Sequence, residues 1–550
     1  MSQTILRVNG LKAWFSSPDG WQKAVDGIDI EIKAGETVAL LGESGSGKSL
    51  SALSLLRLNP QPASQIVAGE LQFCGQNLLA LSEKAMRDIR GGDIAMVFQE
   101  PQSALNPVLT IGFQIDEILK KQGDLNQLER KKKAYQLLEE VGIPLAKERM
   151  QAYPHQLSGG MKQRVMIAMA LASEPKLLIA DEPTTALDVT IQAQILTLLQ
   201  DLQKKRGMAI LFITHDIAVA AQMADTVLVM QAGMIVERGS VDAVLYQPKH
   251  HYTQQLLAAL PTRKKRYPKG DSTAHDNQKM DKATILTVRD LKVYFPLKKG
   301  LLRRTYQHVK AVDGISFTLY AGETLAVVGE SGSGKTTLGK TILGLTTLTS
   351  GQIEPVAYRA KQGEGMRLPK KQVIFQDSAS AMNPRMTVAE IIAEACPMSV
   401  ELRSQQVLEK IEDLLQQVGL NPDWKWRYPH QFSGGQRQRI CIARALAAEP
   451  DMIICDEPTS ALDISVQAQI LQLLRQLQQK IGLAYLLITH DIGVVELLAD
   501  RIAVMQQGKL VEIGDAEKVL TSPQQPYTQQ LFSAVPRLTT LSNQMEKING

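Results

Sequence analysis

The chain has 550 residues, of which 44% are hydrophobic and 21% charged, a composition that is typical of soluble globular proteins and excludes fibrous or disordered chains. Its net charge of +5 is small and favours either solubility or contact with an anionic membrane face. The four cysteines have no CxxC spacing, which argues against a disulfide framework or a zinc site. We predict no signal peptide and no apolar run of about 18 residues, so membrane work would require partner subunits.

The phosphate-binding motif G-x-x-x-x-G-K-[ST] occurs twice, as GESGSGKS at 42–49 and GESGSGKT at 329–336. Glycines let backbone N–H groups surround an anion, the lysine reaches the outer phosphates, and the final hydroxyl holds Mg²⁺. Two nucleoside triphosphate sites are therefore predicted. Their residues are Gly42, Glu43, Ser44, Gly45, Ser46, Gly47, Lys48 and Ser49, and Gly329, Glu330, Ser331, Gly332, Ser333, Gly334, Lys335 and Thr336.

The elements around the first motif predict a strand, a loop and a helix in that order. Residues 5–15 alternate like an edge strand, and 24–32 form a second strand. The short apolar run 37–41 predicts a buried strand that leads into the glycine loop, and the apolar spacing of 50–58 predicts a helix after it. This order places a phosphate at a helix N-terminus, where free N–H groups and the helix dipole favour an anion.

A glutamine follows a predicted strand in each half of the chain. Gln99 comes after 94–98 and precedes SALNP, and Gln376 ends VIFQ and precedes SAMNP. Taken alone, Gln99 fits a loop residue as well as a functional one. The repetition favours a functional role at the sheet edge.

A serine and two glycines precede an apolar-periodic helix at 158–160 and again at 433–435. By the ordinary rules Ser158 and Ser433 are helix N-caps. The alternative is that each serine, with the N–H groups after it, forms a second anion site for a phosphate bound elsewhere.

The predicted strand 177–180 delivers two adjacent carboxylates, Asp181 and Glu182, at its carboxyl end, where open α/β sheets bind ligands. Asp181 is predicted to serve the Mg²⁺ shell, and Glu182 to orient and deprotonate a water; alternatively both merely cap the following segment. The next predicted strand, 209–213, is followed by Thr214 and His215, and His215 is either structural or catalytic. These residues are expected at one edge of the sheet.

The second half repeats this order at a fixed distance. Positions 158, 181 and 215 recur at 433, 456 and 490, always 275 residues later. A repeat of this size indicates a duplicated domain rather than a solenoid. We predict domains at 1–261 and 284–550, joined by a charged linker at 262–283. The basic run 263–266 in the linker fits either solvated charge or contact with anionic lipid.

The order of glycine loop, glutamine, SGG, DEP, ALD and THD resembles the nucleotide-binding domain of the ATP-binding cassette family, over both halves of the chain. The resemblance implies an α/β fold of two tandem P-loop NTPase domains. Each has a mainly parallel core sheet, an antiparallel edge subdomain and a helical subdomain. It also implies ATP and Mg²⁺ as cofactors, and hydrolysis of two ATPs that lie head to tail between the paired domains of the chain.

The family's functional positions fall on matching residues of this sequence. The implied catalytic residues are Glu182, Glu457, His215, His490, Gln99 and Gln376. The implied metal-binding residues are Ser49, Asp181, Gln99, Thr336, Asp456 and Gln376. Phe15 and Phe295 match the aromatic that stacks on adenine, although Trp14 or Tyr294 fits if the register shifts by one. The implied signature residues are Ser158, Gly160, Ser433, Gly435 and Gln436, with Met161 as a departure from the usual glutamine.

Within the family, the chain resembles the fused ATPase subunits of the oligopeptide/dipeptide importer group, including glutathione and microcin C importers. The resemblance is carried by SALNP, SAMNP, the repeated YPHQ and the tails with YTQQL. This implies two transmembrane permease subunits, a periplasmic or extracellular solute-binding protein, and a peripheral location at the cytoplasmic face of the inner membrane. No nucleic acid is expected. The competing hypotheses are a soluble twin-cassette ATPase that acts on ribosomes or nucleic acid, and a non-hydrolysing scaffold.

Overall fold

The computed structural model describes residues 3–17, 20–121, 123, 125–185, 187–260, 283–299, 304–358, 365–396, 404–460 and 462–536. The chain divides into two compact units, the first mainly within 1–258 and the second mainly within 259–535. The predicted linker and its basic run lie, apart from residue 283, outside the described residues. The linker and the predicted domain boundaries therefore stay predictions.

The first unit consists of two sheets and a group of helices. Its strands are β1 (Thr4–Ser17), β2 (Gly20–Lys33), β3 (Thr37–Leu41), β4 (Ser64–Phe73), β5 (Gln76–Asn77), β6 (Ile94–Val97), β7 (Leu177–Asp181), β8 (Ala209–Thr214), β9 (Thr226–Gln231) and β10 (Met234–Ser240). Its helices are α1 (Lys48–Leu55), α2 (Glu83–Gly91), α3 (Pro101–Ala104), α4 (Ile111–Lys121), α5 (Gln127–Glu140), α6 (Ala146–Arg149), α7 (Gly159–Leu171), α8 (Val189–Arg206), α9 (Ile217–Met223) and α10 (His251–Ala259).

The second unit repeats this plan. Its strands are β11 (Thr284–Lys299), β12 (Arg304–Tyr320), β13 (Thr324–Val328), β14 (Ser350–Pro355), β15 (Lys371–Ile374), β16 (Met452–Asp456), β17 (Ala484–Ile488), β18 (Arg501–Gln506) and β19 (Lys509–Asp515). Its helices are α11 (Lys335–Ile342), α12 (Val388–Ala393), α13 (Gln405–Gln417), α14 (Gly434–Ala447), α15 (Ile464–Ile481), α16 (Ile492–Leu498), α17 (Ala516–Thr521) and α18 (Pro526–Ser533).

Each unit has a six-stranded core sheet that is parallel except for one strand at its edge. The strand orders are β10-β9-β3-β8-β7-β6 and β15-β16-β17-β13-β18-β19, with β10 and β19 antiparallel to their neighbours. A second, antiparallel sheet has the order β2-β1-β4-β5 in the first unit and β12-β11-β14 in the second. The predicted fold class, a parallel core sheet with an antiparallel subdomain and a helical part in each unit, is therefore confirmed.

The core sheet is buried on both faces, which explains why its strands are continuous apolar runs. Along β8, Ile210 and Phe212 pack into a core with the helices α4, α5 and α7, whereas Leu211 and Ile213 pack into a core with the antiparallel sheet. Side chains of a strand alternate between its faces, so both sets must be apolar when both faces are covered. The phosphate loop begins at the end of β3, in the centre of this sheet.

The prediction of 5–15 as an edge strand is wrong. β1 lies inside its sheet and pairs with β2 on one side and with β4 on the other. The alternation of β1 reflects a sheet with one covered face, not an unpaired edge. The strand that covers its other side, β4, has a weaker apolar pattern, and several of its side chains are exposed.

In the part of the chain that the structure describes, no helix has the length and apolar character needed to cross a membrane.

Candidate active site

The two phosphate loops, 42–49 and 329–336, link a buried core strand to a helix that begins at the lysine. The glycine before each lysine is the helix N-cap and has a left-handed backbone, with φ of 104° at Gly47 and 103° at Gly334. A Cβ atom there would collide with the carbonyl oxygen of Ala24 in the first unit and of Ala311 in the second. Only glycine adopts this φ readily and also leaves room for the neighbouring carbonyl oxygen. The loop can therefore keep its N–H groups at the open end of the helix.

Each lysine is fixed by the loop that precedes it. Lys48 Nζ donates to the carbonyl oxygens of Gly42 and Glu43, both at 2.8 Å. Lys335 Nζ donates in the same way to Gly329 at 2.7 Å and to Glu330 at 2.8 Å. Burial lowers the pKa of Lys335. The ammonium groups are therefore held as fixed charges beside the loop, where a phosphate anion would offset their desolvation.

A hydroxyl and a carboxylate meet beside each loop. Ser49 Oγ donates to Asp181 Oδ1 at 3.2 Å, and Thr336 Oγ1 donates to Asp456 Oδ1 at 3.1 Å. Burial raises the pKa of both aspartates, so an added cation would be favourable there. This oxygen donor set fits Mg²⁺, which is commonly held by one or two carboxylates with the remaining positions left to phosphate and water. Within the described residues, no group of three or more His, Cys, Asp or Glu side chains forms a complete metal site.

The glutamate next to each aspartate is the centre of a hydrogen-bond network. Gln99 Nε2 donates to Glu182 Oε2 at 2.9 Å, Thr185 Oγ1 donates to the same oxygen at 2.8 Å, and His215 Nδ1 lies 3.1 Å from Oε1. The second unit repeats the glutamine and histidine contacts. Gln376 Nε2 donates to Glu457 Oε2 at 2.7 Å, and His490 Nδ1 lies 2.9 Å from Glu457 Oε1. The predicted glutamine, glutamate and histidine are thus brought together in both units.

The histidine and the glutamate shift each other's pKa. Burial acts to raise the pKa of Glu182, but the hydrogen bond and charge of His215, together with the Thr185 hydroxyl and the Lys48 charge, outweigh it and hold that pKa below its ordinary value. For His215, burial acts to lower the pKa, and the Glu182 carboxylate outweighs it and raises the pKa. Glu457 and His490 shift in the same directions for the same reasons. These shifts favour the ionised form of both glutamates.

The backbone of these glutamates is strained. Glu182 has φ of 46° and Glu457 has φ of 48°, in the left-handed region that non-glycine residues rarely adopt. Each is held there by its neighbouring strand, because Glu182 N donates to Ile213 O at 2.9 Å and Glu457 N donates to Ile488 O at 2.8 Å. Such strain costs about 1–3 kcal/mol per residue and is concentrated at functional sites.

The signature serines are N-caps, as one of the two readings predicted. Ser158 Oγ accepts from Met161 N, and Ser433 Oγ accepts from Gln436 N, both at 3.3 Å. Both serines are exposed. Gln436 completes a capping box by accepting from Ser433 N at 3.0 Å, a contact that methionine at 161 cannot make. Sequence reasoning missed this role of the glutamine.

The second glycine of each signature has a packing role that sequence reasoning did not predict. A Cβ atom on Gly160 would lie 2.7 Å from Cγ2 of Ile191 on α8. A Cβ atom on Gly435 would collide with Val466 on α15. These glycines therefore let the signature helix approach its neighbour.

Phe15 and Phe295 are exposed, at 41% and 44% of their surface. Their neighbours are engaged elsewhere. Trp14 Nε1 is buried, the Lys23 ammonium lies over the Trp14 ring at 5.9 Å from its centre, and the Tyr294 hydroxyl donates to the Asp313 carboxylate. This exposure favours Phe15 and Phe295 over Trp14 and Tyr294 for stacking on a base.

The predicted site residues of the first unit are only partly connected by hydrogen bonds. Ser49 bonds Asp181, and Glu182 contacts both Gln99 and His215. Among the described residues, no hydrogen bond links Ser158 or Phe15 to these side chains.

Comparison with known proteins shows the family. The family model described as ABC transporter matches residues 25–185 and 312–460, and the model described as oligopeptide/dipeptide transporter, C-terminal region, matches residues 236–283 and 511–550. The chain belongs to the ATP-binding cassette transporter family. Each unit is a cassette, and the chain is an ATPase of the kind that drives transport.

Two curated relatives match nearly the whole chain. The peptidoglycan transport ATP-binding protein YejF of Agrobacterium fabrum is 49% identical over 97% of this chain and 96% of its own length. The glutathione import ATP-binding protein GsiA of Salmonella paratyphi A is 46% identical over 97% of this chain and 90% of its own length. A solved structure of the archaeal ribosome recycling factor aABCE1 with ribosomal stalk protein aP1 covers 88% of this chain and 86% of that chain, with a TM-score of 0.54. At 21% identity it shows the fold alone.

Proposed function

We propose that this protein is the ATP-hydrolysing motor subunit of an importer for peptides or peptide-like solutes. The observation that carries the proposal is the Gln–Glu–His network beside each phosphate loop, which is complete in both cassettes. Two complete networks oppose the scaffold hypothesis. The kind of solute rests on the similarity to the peptidoglycan and glutathione transport proteins and on the C-terminal region matched in both cassettes.

In the proposed reaction, the phosphate loop and Lys48 bind and orient the outer phosphates of ATP. Glu182 positions the attacking water and accepts its proton, since its carboxylate is ionised and is held between Gln99 and His215. Ser49 and Asp181 would hold Mg²⁺, which supplies charge neutralisation at the phosphates when bound. The corresponding residues play the same parts in the second cassette. They are Lys335, Thr336, Asp456, Glu457, Gln376 and His490.

The partners that we propose are two transmembrane permeases, which would place the protein peripherally at the cytoplasmic face of the inner membrane. A separate solute-binding protein would deliver the solute. The permease contact is assigned to the loops after the glutamines, 99–107 and 376–384. These loops are largely exposed, and each is joined through its glutamine to the glutamate of the active site. A permease pressing on the loop would thus act directly on the catalytic network.

Cysteine crosslinking tests the permease contact. Ser103 and Ser380 are exposed in the two loops, where their hydroxyls donate to the backbone carbonyls of Glu100 and Asp377. In a background with Cys74→Ser, which removes an exposed natural cysteine, we expect Ser103→Cys and Ser380→Cys to crosslink to polytopic membrane subunits in whole membranes.

Thr197→Cys, at an exposed position on α8, serves as the matched control and should give no such product. If Ser103→Cys and Ser380→Cys label only ribosomal or nucleic-acid partners, the transport proposal fails and the ribosomal hypothesis takes its place. No similarity beyond the fold supports that hypothesis at present, because the aABCE1 match has 21% identity.

A further inference from the structure

The C-terminal region of each cassette is fastened back onto its own core sheet by a glutamate. Glu237 on β10 accepts from the backbone N–H groups of Lys249 at 2.7 Å and His250 at 3.2 Å. These two residues directly precede α10. Glu512 on β19 accepts in the same way from Gln524 at 2.9 Å and Gln525 at 3.2 Å, directly before α18. The start of each C-terminal helix is therefore fixed relative to the core sheet.

The second residue of each fixed helix is a tyrosine that touches the phosphate loop of the same cassette. The hydroxyl of Tyr252 accepts from Glu43 N at 3.4 Å and donates to Glu43 Oε2 at 3.2 Å. The hydroxyl of Tyr527 accepts from Glu330 N at 3.1 Å. Tyr252 is 7% exposed, so its hydroxyl reaches the loop from inside the cassette.

The peptide unit that makes this contact and the one after it are the two that fix the lysine. The carbonyl of Glu43, whose N–H bonds Tyr252, accepts from Lys48 Nζ at 2.8 Å. The carbonyl of Glu330 accepts from Lys335 Nζ at the same distance. The tyrosine hydroxyl, the loop glutamate and the lysine ammonium thus form one connected set in both cassettes. Fixing one peptide unit restricts the orientation of its neighbours, because the backbone has only two free dihedral angles per residue.

Both cassettes have this contact, although the number of residues between its two partners differs. Tyr252 follows Glu43 by 209 residues, whereas Tyr527 follows Glu330 by 197 residues. The intervening segments differ in length, yet the same hydroxyl meets the same loop position. The spatial contact, rather than the sequence spacing, is therefore what the two cassettes share.

We propose that Tyr252 and Tyr527 are positioning residues of the nucleotide sites. Each orients its phosphate loop and lysine from the C-terminal region, so that this region sets the affinity for nucleoside triphosphate. The inference rests on the function of the phosphate loops proposed above. The tyrosines touch the loop and not the Gln–Glu–His network, so they act on nucleotide binding and not on the hydrolytic step.

The test uses the full-length chain with Tyr252→Phe and Tyr527→Phe combined, which removes both hydroxyls and keeps both rings. A fluorescent ATP analogue with Mg²⁺ is titrated, and steady-state ATPase and thermal unfolding are measured. One net hydrogen bond of ordinary strength corresponds to a change of about three- to tenfold, so the Kd and the KM for ATP are expected to rise by about that factor. The kcat at saturating ATP is expected to stay close to the parental value.

The matched control is Tyr135→Phe combined with Tyr320→Phe. Tyr135 bonds Glu139 within α5, and the Tyr320 hydroxyl accepts from Thr318 at 3.2 Å within β12. An unchanged Kd in the Tyr252→Phe/Tyr527→Phe variant, or an equal rise in the control, would overturn the positioning role. Lys48→Ala and Lys335→Ala separate this result from a failure of the loop assignment. If the lysine variants lose affinity and the tyrosine variant does not, only the present inference falls.

Discussion

Replacing Glu182 or Glu457 with glutamine is expected to lower the steady-state ATPase rate by about 10²- to 10⁴-fold, the usual contribution of a positioned general base. The amide keeps the size of the side chain and can still contact the neighbouring glutamine and histidine, but it cannot accept a proton from water. Both substitutions are expected to be severe, because each cassette has its own complete network and the two sites belong to one motor. The measurement is phosphate release at saturating ATP.

Two surface glutamates provide the control for this experiment. Glu174 and Glu449 occupy corresponding positions, and each forms an exposed ion pair, with Lys133 at 2.8 Å and Lys410 at 2.6 Å. Glu174→Gln and Glu449→Gln should leave the rate near the parental value. If Glu457→Gln also runs near the parental rate while Glu182→Gln is inactive, the two sites are unequal, and the symmetric picture of this motor is wrong.

The second large effect is expected from Lys48→Ala and Lys335→Ala. Each substitution removes a buried cation that is fixed beside the phosphate loop. Charge-assisted hydrogen bonds contribute about 1.5–3 kcal/mol, which corresponds to about a 10- to 150-fold rise in Kd for a nucleoside triphosphate at the altered site. Equilibrium titration of a fluorescent ATP analogue resolves this change.

Lys133→Ala and Lys410→Ala are suitable controls for the lysine variants, because they remove a cation from an exposed ion pair in the same cassette. They should not change the Kd. Parental affinity in both Lys48→Ala and Lys335→Ala would show that 42–49 and 329–336 do not bind the outer phosphates.

The core strands were predictable because burial on both faces leaves a strong sequence pattern. The predicted strand 37–41 coincides with β3, and the predictions for β7 and β8 end one residue short of the strands. The antiparallel sheet was less predictable. In β4 the buried positions change parity between Ser64 and Leu71, on either side of Gly69, and the local pattern does not show that the strand pairs with β1. That pairing joins residues 49 to 67 positions apart, from Phe15 with Ser64 to Leu6 with Phe73.

The location of the site could be predicted from the sequence, but its hydrogen bonds could not. Glu182 and His215 follow adjacent parallel strands, so their meeting at one sheet edge follows from topology. The bonds of Gln99 and Thr185 to the same carboxylate oxygen depend on loop geometry that no local pattern encodes. The contact of Tyr252 with Glu43 joins residues 209 positions apart, and its only sequence signal was the recurrence of YTQQL in both tails.

The left-handed backbone of Glu182 and Glu457 has a consequence for engineering this protein. Glycine adopts such φ values without steric penalty, so glycine at either site would relieve the backbone strain, while it would also remove the contacts of the carboxylate with the neighbouring glutamine and histidine. A variant with glycine at both sites would have lost both proposed bases, whatever the net change in its free energy of unfolding. Relief of backbone strain and turnover are thus opposed at these two residues, and a directed-evolution screen that rewards heat resistance alone would not protect the activity of the motor.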